Sequence, residues 1–185
     1  MPALMLQPVI PGIALRRWRL LHRVKQTHAA QLFNVTQSTL SRWENGVQAM
    51  DAAAHQQLER LLCARLDSAA DQALAGLVNE SSRAVHLVCD LTHRLLACSP
   101  SRAAQFSRPL GDLMGQSLWR YATAQICQAE AALDDTGWRE IQAPPALQFS
   151  TGSNASSLVP IRPSLCRWTR MVLSDGSAAR LVETL

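Results

Sequence analysis

The side chains best suited to chemistry are in residues 26–46, QTHAAQLFNVTQSTLSRWENG. The spacing of their apolar residues predicts two short helices that cross, with buried-type residues at Ala30, Val35, Leu40 and Trp43. The polar side chains that remain on the outward face are Gln37, Ser38, Ser41, Arg42 and Asn45. Short or forked polar groups of this kind bind base edges and phosphates in the major groove of DNA. The segment therefore predicts a DNA-reading face.

The flanking sequence predicts the helices that position this face. An irregular arm over residues 1–12 precedes a helix over residues 13–25, and a second short helix covers residues 27–34. Thr36 is the expected N-cap of the next helix, which ends at Asn45-Gly46 because both residues tolerate left-handed backbone angles. Apolar residues recur at helical spacing from residue 51 to 77. This apolar stripe predicts one long helix that connects two units or pairs with a second copy of the chain. The alternative is two helices with a bend near Asp67-Ser68.

After residue 82 the pattern changes to that of an α+β domain. Strands are expected at residues 84–90, 93–98, 137–142, 158–161 continuing through 165–173, and 178–183, with a further short strand possible at 147–149. Helical segments are expected at residues 102–106 and 117–133, and Asp175-Gly176 is a hairpin signal. The predicted domains are residues 13–50, a linker or dimerisation helix over 51–80, and residues 83–185.

Charge is distributed unevenly between the two halves. Residues 1–66 hold eight basic and three acidic side chains, a net charge of +5, whereas residues 67–185 hold ten basic and eleven acidic, a net charge of −1. The whole chain has a net charge of +4. A net positive charge confined to the half with the polar helix face indicates a polyanionic partner for that half.

Several classes of protein are excluded by composition. No apolar run reaches the roughly 18 residues that a transmembrane helix needs. The apolar start is interrupted by Pro2, Pro8 and Pro11 and has no basic residue before it, which is a poor signal peptide. The five cysteines contain no C-x-x-C pair, as is typical of a reduced chain. A cytoplasmic protein with no membrane partner is expected.

Residues 13–50 closely resemble the phage-repressor (Cro-like, XRE) helix-turn-helix family, on the words TQSTLSRWENG and the preceding Gln26. The resemblance implies that Gln37, Ser38 and Arg42 read bases and that Gln26 binds phosphate and braces Gln37. It also implies that Ser41 and Asn45 contact the DNA backbone, and that Arg19 and Glu44 form a structural ion pair.

This segment departs from the family in four ways. Asn34 replaces the usual turn glycine, although asparagine also adopts the left-handed conformation. Ala29 stands where an apolar residue is common and His28 where a Glu is common, and the later short helices are not evident. A 20-residue motif supplies too few base contacts, at about 1–3 kcal/mol each, for operator specificity. A homodimer that reads two half-sites of a double-stranded operator is therefore expected.

Residues 83–185 resemble a PAS domain in the order of their elements and in the words VHLVCDLTHRLLACSPSRAAQF and LGDLMGQSLWRY. The resemblance implies a half-barrel that either holds a small ligand or serves as a dimerisation face. A cystatin-like or other small α+β fold is the alternative. The flavin-photoreceptor motif Asn-Cys-Arg-Phe is absent, and the segment 117–133 has no histidine to ligate haem. No cofactor is therefore identified, and any ligand is unknown.

Metal binding and catalysis find little support in the sequence. His86, Cys89, His93 and Cys98 have the types of zinc ligands, but His86 and Cys89 fall on opposite faces of one strand. The residue types of a redox sensor are present at Cys98 and Cys166, with nothing nearby to lower their thiol pKa. There is no nucleophile elbow, no P-loop and no paired carboxylate motif. We expect no metal and no enzymatic activity, and core roles for Trp119, Trp138 and Trp168.

Together these features predict a two-domain bacterial protein: an all-α helix-turn-helix domain joined by a long helix to an α+β PAS-like domain with an antiparallel sheet. The expected function is a dimeric transcriptional regulator, such as a repressor, with a module that senses a small molecule or mediates dimerisation. The alternative is an adaptor or antitoxin-like repressor whose second half is a ligand-free protein-interaction domain.

Overall fold

A computed structural model describes residues 11–141 and 143–185, without the side chains of Leu21 and Asp134. The first ten residues of the predicted arm therefore lie outside the described residues. The chain divides into two compact units, residues 1–63 and 64–185. None of the described helices is both long and apolar enough to cross a membrane.

The first unit is helical throughout its described part. Its helices are α1 (Pro11–Leu21), α2 (Gln26–Leu32), α3 (Gln37–Glu44) and α4 (Ala52–Leu62). Its core consists of small and large apolar side chains from all four helices, among them Leu15, Ala30, Leu40, Trp43 and Leu58. The first helix ends at Leu21, short of the predicted residue 25, because Arg23 adopts a left-handed φ of 54°.

The prediction of one long helix over residues 51–77 is wrong. The chain forms two helices, α4 and α5 (Ala69–Asn79), and the intervening Cys63 is extended. Ser68 begins the second helix by accepting a hydrogen bond from the Asp71 amide at 3.0 Å, while buried Ala64 donates its amide to the Cys89 sulfur at 3.2 Å. A side-chain cap and a fixed amide between the two helices outweigh the continuous apolar stripe. The two halves of the stripe thus belong to different units.

The second unit has the α+β architecture that the PAS resemblance implies. Its strands are β1 (Val85–Cys89), β2 (Leu95–Cys98), β3 (Leu147–Ser150), β4 (Leu165–Val172) and β5 (Ala178–Thr184). They form one antiparallel sheet in the order β2-β1-β5-β4-β3. Three short helices lie between β2 and β3: α6 (Pro100–Ala103), α7 (Leu110–Leu113) and α8 (Ala124–Ala131).

Some of the predicted strands of the second unit are confirmed, among them those joined by a turn with recognisable turn residues. The hairpin at Asp175-Gly176 joins β4 to β5, with Gly176 at a φ of 82°. The possible strand at 147–149 is β3. The predicted strand at 158–161 is instead a loop, because Pro160 and Pro163 cannot donate to a ladder and Asn154 binds the loop's backbone.

Two other predicted elements are also wrong. No strand forms over residues 137–141, and Gln142 lies outside the described residues. Gly137 has a left-handed φ of 67°, and the indole of Trp138 is buried against Asp90. The helix expected over 117–133 is shorter, since a 3₁₀ turn precedes α8 and Thr123 caps α8 by accepting from the Ile126 amide at 3.1 Å.

Candidate functional sites: a polar helix face and a buried cavity

The connection between α2 and α3 is a tight turn with defined backbone angles. Asn34 has a left-handed φ of 52°, and Val35 donates its amide to the Ala30 carbonyl at 2.9 Å. Thr36 caps α3 through its hydroxyl, which accepts from the Thr39 amide at 3.2 Å. These bonds determine the angle at which α3 leaves the turn, and hence the direction of its outer face.

The outer face of α3 carries the predicted polar side chains. Gln37, Ser38, Arg42 and Asn45 are exposed and Ser41 is half-buried, with the Asn45 amide donating to its hydroxyl at 3.4 Å. Gln37 donates to the side-chain oxygen of Gln26 at 3.3 Å. The structure therefore brings the six residues onto one continuous polar surface. Gln37, Ser38, Arg42 and Asn45 are exposed to a partner, whereas the half-buried Gln26 already bonds Glu44 and Gln37 through its side-chain amide.

Beneath this surface, the only carboxylate of residues 26–46 is turned inward. Glu44 accepts two bonds from the Arg19 guanidinium, at 2.7 and 3.0 Å, and a third from the amide of Gln26 at 2.9 Å. Burial opposes ionisation of Glu44, yet these bonds lower its pKa below the ordinary value, and the bond to Glu44 raises the pKa of Arg19. The contact of Gln26 with Glu44 was not foreseen, because no spacing rule connects residues 18 apart.

The second unit contains a cavity of about 500 Å³ on one face of its sheet. Alternate residues of three strands line it, as the two-residue period of a strand requires. These are His86 and Val88 of β1, Cys166 and Trp168 of β4, and Arg180, Val182 and Thr184 of β5. Residues of α6, α8 and the loops around them complete the wall. A volume of this size lies in the range of small-molecule sites.

One end of the cavity is lined by a guanidinium that the protein itself neutralises. Arg180, 1 % exposed, donates to Asp90 at 2.8 Å and to Glu130 at 2.6 Å. Although burial opposes ionisation of Glu130, the charge of Arg180 holds the pKa of this carboxyl at about 2, and the two carboxylates raise the pKa of Arg180. The indole of Trp138 donates to Asp90 at 3.1 Å, and Arg139 bonds Glu130 at 2.8 Å. The charge of Arg180 is thus compensated by an internal salt-bridge network.

A second buried arginine lines the same cavity without a carboxylate. Arg102 is 9 % exposed, its Nε has no hydrogen-bond partner, and its Nη1 donates to the neutral amide of Gln105 at 2.5 Å. Burial lowers the pKa of Arg102. His86, also 9 % exposed, has an unpartnered Nδ1, and burial together with the Arg102 charge lowers its pKa to about 3. Sequence patterns contained no signal for this pair, because it depends on packing between β1 and α6.

The cysteines have the properties of buried thiols. Burial raises the pKa of Cys98 and of Cys166 to about 11, so neither is activated as a thiolate at neutral pH. Cys127 is half-buried. His86 lines the cavity while the Cys89 sulfur accepts from Ala64. Within the described ranges, no three His, Cys, Asp or Glu side chains are close enough to hold a metal ion.

The three tryptophans divide between core and cavity. Trp138 is fully enclosed beside Asp90, as expected of a core residue. Trp168 is buried and also lines the cavity, where the Arg180 guanidinium lies 4.2 Å from its ring centre. Trp119 is half-buried and also lines the cavity, with its ring 4.5 Å from that of His93. Two of the three therefore present aromatic surface to the cavity.

No protein family and no curated protein matches the sequence. Among solved structures, the chain is similar to the PAS domain of an HTR-like protein from Haloarcula marismortui, at 12 % identity and a TM-score of 0.44, covering 63 % of this chain and 90 % of that one. It is similar to the PAS domain of nitrogen regulation protein NR(II) from Vibrio parahaemolyticus, at 12 % identity and a TM-score of 0.42, covering 60 % and 95 %.

A third similar structure is an RNA-binding Light-Oxygen-Voltage receptor, at 11 % identity and a TM-score of 0.44, covering 95 % of this chain and 57 % of that one. Likenesses at this level of identity assign no activity, ligand or partner to the present chain.

Proposed function

We propose that the protein is a sequence-specific DNA-binding transcriptional regulator that acts as a homodimer, with a PAS-like sensory module as its second unit. The observation that carries the proposal is the outer face of α3, where exposed Gln37, Ser38 and Arg42 project from a helix held by a capped turn. A helix with this polar face is the element that helix-turn-helix proteins insert into the major groove.

The electrostatics of the first unit support this proposal. Glu44 is withdrawn from the surface and neutralised by Arg19, so residues 26–46 present no free carboxylate to a polyanion. Gln26 connects this ion pair to Gln37, which restricts the Gln37 side chain before any ligand is bound. Preorganised side chains lose less conformational entropy on binding.

The test is selection of double-stranded DNA from a random pool by the full chain. We expect enrichment of a two-fold symmetric motif by the wild type. Arg42→Ala and Gln37→Ala should each relax the preference at individual base pairs, at a cost of about 1–3 kcal/mol per lost contact. Arg60→Ala is the matched control, because it removes the same charge from an exposed position on α4. An unchanged preference in both α3 variants would exclude the assigned readout.

The sensory role rests on the cavity of the second unit. A volume of about 500 Å³ next to unsatisfied polar groups favours a ligand-binding module over the alternative of a ligand-free interaction domain. A ligand would alter operator affinity only through its different affinities for two arrangements of the dimer. Sedimentation equilibrium of the full chain tests whether the protein is a dimer in solution.

We propose binding rather than catalysis in this cavity. No Asp or Glu is among the described residues that line it, and burial raises the pKa of its thiol, Cys166. Of its two histidines, His86 has a pKa lowered to about 3 by burial, and His93 is bonded to Glu130 at 3.3 Å. General acid–base or nucleophilic chemistry requires a group whose pKa lies near the working pH.

A further inference from the structure

We propose that the cavity binds a small organic monocarboxylate, whose carboxylate is held by Arg102 and His86 and whose apolar body lies against the tryptophan-lined wall. This inference deepens the proposed sensory role and rests on it. It follows from the unbalanced charge, the unpartnered polar atoms and the apolar wall of the cavity.

The two polar residues are held in place by buried backbone and side-chain bonds. Ser99 is fully buried and caps α6 by accepting from the Arg102 amide at 3.2 Å, and the same hydroxyl accepts from the Val85 amide of β1 at 3.1 Å. One hydroxyl thus ties the helix that carries Arg102 to the strand that carries His86. The guanidinium lies 4.9 Å from the ring centre of Phe106, which restricts it further.

The charge of Arg102 has no counter-ion within the described protein. The structure contains two buried arginines, Arg102 and Arg180, over the part of the chain that it describes. Arg180 has two carboxylate partners, whereas no Asp or Glu of the described residues forms an ion pair with Arg102. A buried charge is costly unless it is paired. An anion bound in the cavity would pair this charge.

The number of charges favours a monoanion. Next to Arg102, His86 is neutral at physiological pH, because its pKa is lowered to about 3. Of the two other arginines at the cavity wall, Arg180 is already neutralised by Asp90 and Glu130, and Arg162 is exposed to solvent, which screens its charge. One uncompensated positive charge matches one carboxylate, and a planar carboxylate matches the geometry of a guanidinium. A phosphate dianion would leave an unpaired negative charge in the same place.

The remaining wall selects the body of the ligand. Val88, Ile126, Val159 and Trp168 give the cavity an apolar lining, and Trp119 adds a second aromatic surface. Such a wall stabilises an apolar body by removing it from water. The ligand class is therefore an aromatic or medium-chain carboxylic acid, rather than a small polyacid.

The experiment compares carboxylates with their neutral amides on the full chain in the absence of DNA. The probes are phenylacetate with phenylacetamide, and octanoate with octanamide, titrated by calorimetry and by tryptophan fluorescence. Charged hydrogen bonds to Arg102 should make at least one acid bind at least about tenfold more tightly than its amide. Equal binding of acid and amide, or no binding by either acid, would overturn the proposal.

Variants locate the interaction. Arg102→Met should abolish the preference for the acid, and His86→Phe should reduce it. Arg162→Met is the matched control, since Arg162 borders the same cavity but is exposed, and it should retain the preference. A preference that persists in Arg102→Met would overturn the assignment, and so would tighter binding of inorganic phosphate than of either acid. The comparison in the wild type needs no variant, so a misfolded variant leaves the test intact.

The outcome is separable from that of the DNA experiment. Acid binding without selection of a DNA motif would remove the proposed regulator while leaving the anion site. Selection of a motif without acid binding would remove the anion site alone.

Discussion

The two buried arginines of the second unit are placed in opposite electrostatic settings within one cavity wall. Arg180 is paired with Asp90 and Glu130 through bonds of 2.6–2.8 Å. Arg102 has a neutral amide and an aromatic ring as neighbours. Both are nine-tenths or more buried, so the difference is not one of solvent access. The comparison separates a charge that holds the fold together from one that the fold leaves uncompensated.

The origin of the difference is the element that carries each residue. Arg180 is in β5, directly opposite Val88 of β1, so it lies near Asp90 at the end of that neighbouring strand. Arg102 is in α6, which reaches the sheet at its β1–β2 edge, where the neighbours are His86 and Cys98. If a buried arginine has a structural role, its truncation should lower the free energy of unfolding by a large amount. If it has a ligand-binding role, the loss should be small.

The largest expected effect is that of Arg180→Met. It leaves Asp90 and Glu130 as buried carboxylates without their shared cation, so the free energy of unfolding should fall by about 3–5 kcal/mol. Urea denaturation followed by tryptophan fluorescence measures it. Arg167→Met is the control on the adjacent strand β4, because Glu183 keeps Arg83 at 3.2 Å. Its cost should be much smaller, because partly exposed ion pairs contribute little to stability. Equal losses in both variants would contradict a structural role specific to Arg180.

Glu130→Gln should have an intermediate effect. The substitution keeps the shape of the side chain but removes the charge that bonds Arg180 and Arg139. Because Arg180 retains Asp90, we expect a loss of about 2 kcal/mol, less than for the arginine itself. The same denaturation experiment checks the ranking. A loss larger than that of Arg180→Met would show that Glu130, not Arg180, is the centre of the network.

His86 should make stability depend on pH. Its pKa is about 3 in the folded protein, because of burial and the Arg102 charge, against about 6.5 when unfolded. Below pH 6.5 His86 therefore binds a proton in the unfolded chain but not in the folded chain. The free energy of unfolding consequently falls as pH decreases from 6.5 towards 3. Between pH 6.5 and 5.5 the loss should be about 1 kcal/mol. His86→Phe should lack this component. A difference between wild type and variant that is constant over this range would refute the assignment.

The smallest expected effect is that of Arg102→Met in the absence of ligand. Replacing an uncompensated buried charge with an apolar side chain of similar length is often neutral or stabilising. We expect the free energy of unfolding to change by less than about 1 kcal/mol, because the lost bond to Gln105 and the contact with Phe106 offset the relieved charge. A loss as large as that of Arg180→Met would make Arg102 a structural residue and would remove the basis of the comparison.

Local chemistry in the sequence predicted much of the first unit. The cap at Thr36, the left-handed Asn34 and the end of α3 just before the left-handed Gly46 are each properties of one residue and its immediate neighbours. The prediction of one long helix over residues 51–77 was wrong for the converse reason. A continuous stripe indicates which residues are apolar, but not that Ser68 caps a new helix or that the Ala64 amide binds Cys89.

For the second unit, the sequence by itself determined the α+β class, most of the strands and the hairpin at Asp175-Gly176, because alternation and turn residues are local signals. Only the tertiary structure decided which arginine is neutralised. Residues 90 and 180, or 86 and 102, meet through sheet pairing and helix capping that connect distant segments. Charge counts place all these arginines in a half with a net charge of −1, where each could have found a partner. The uncompensated charge at Arg102 exists only once packing has assigned the carboxylates elsewhere.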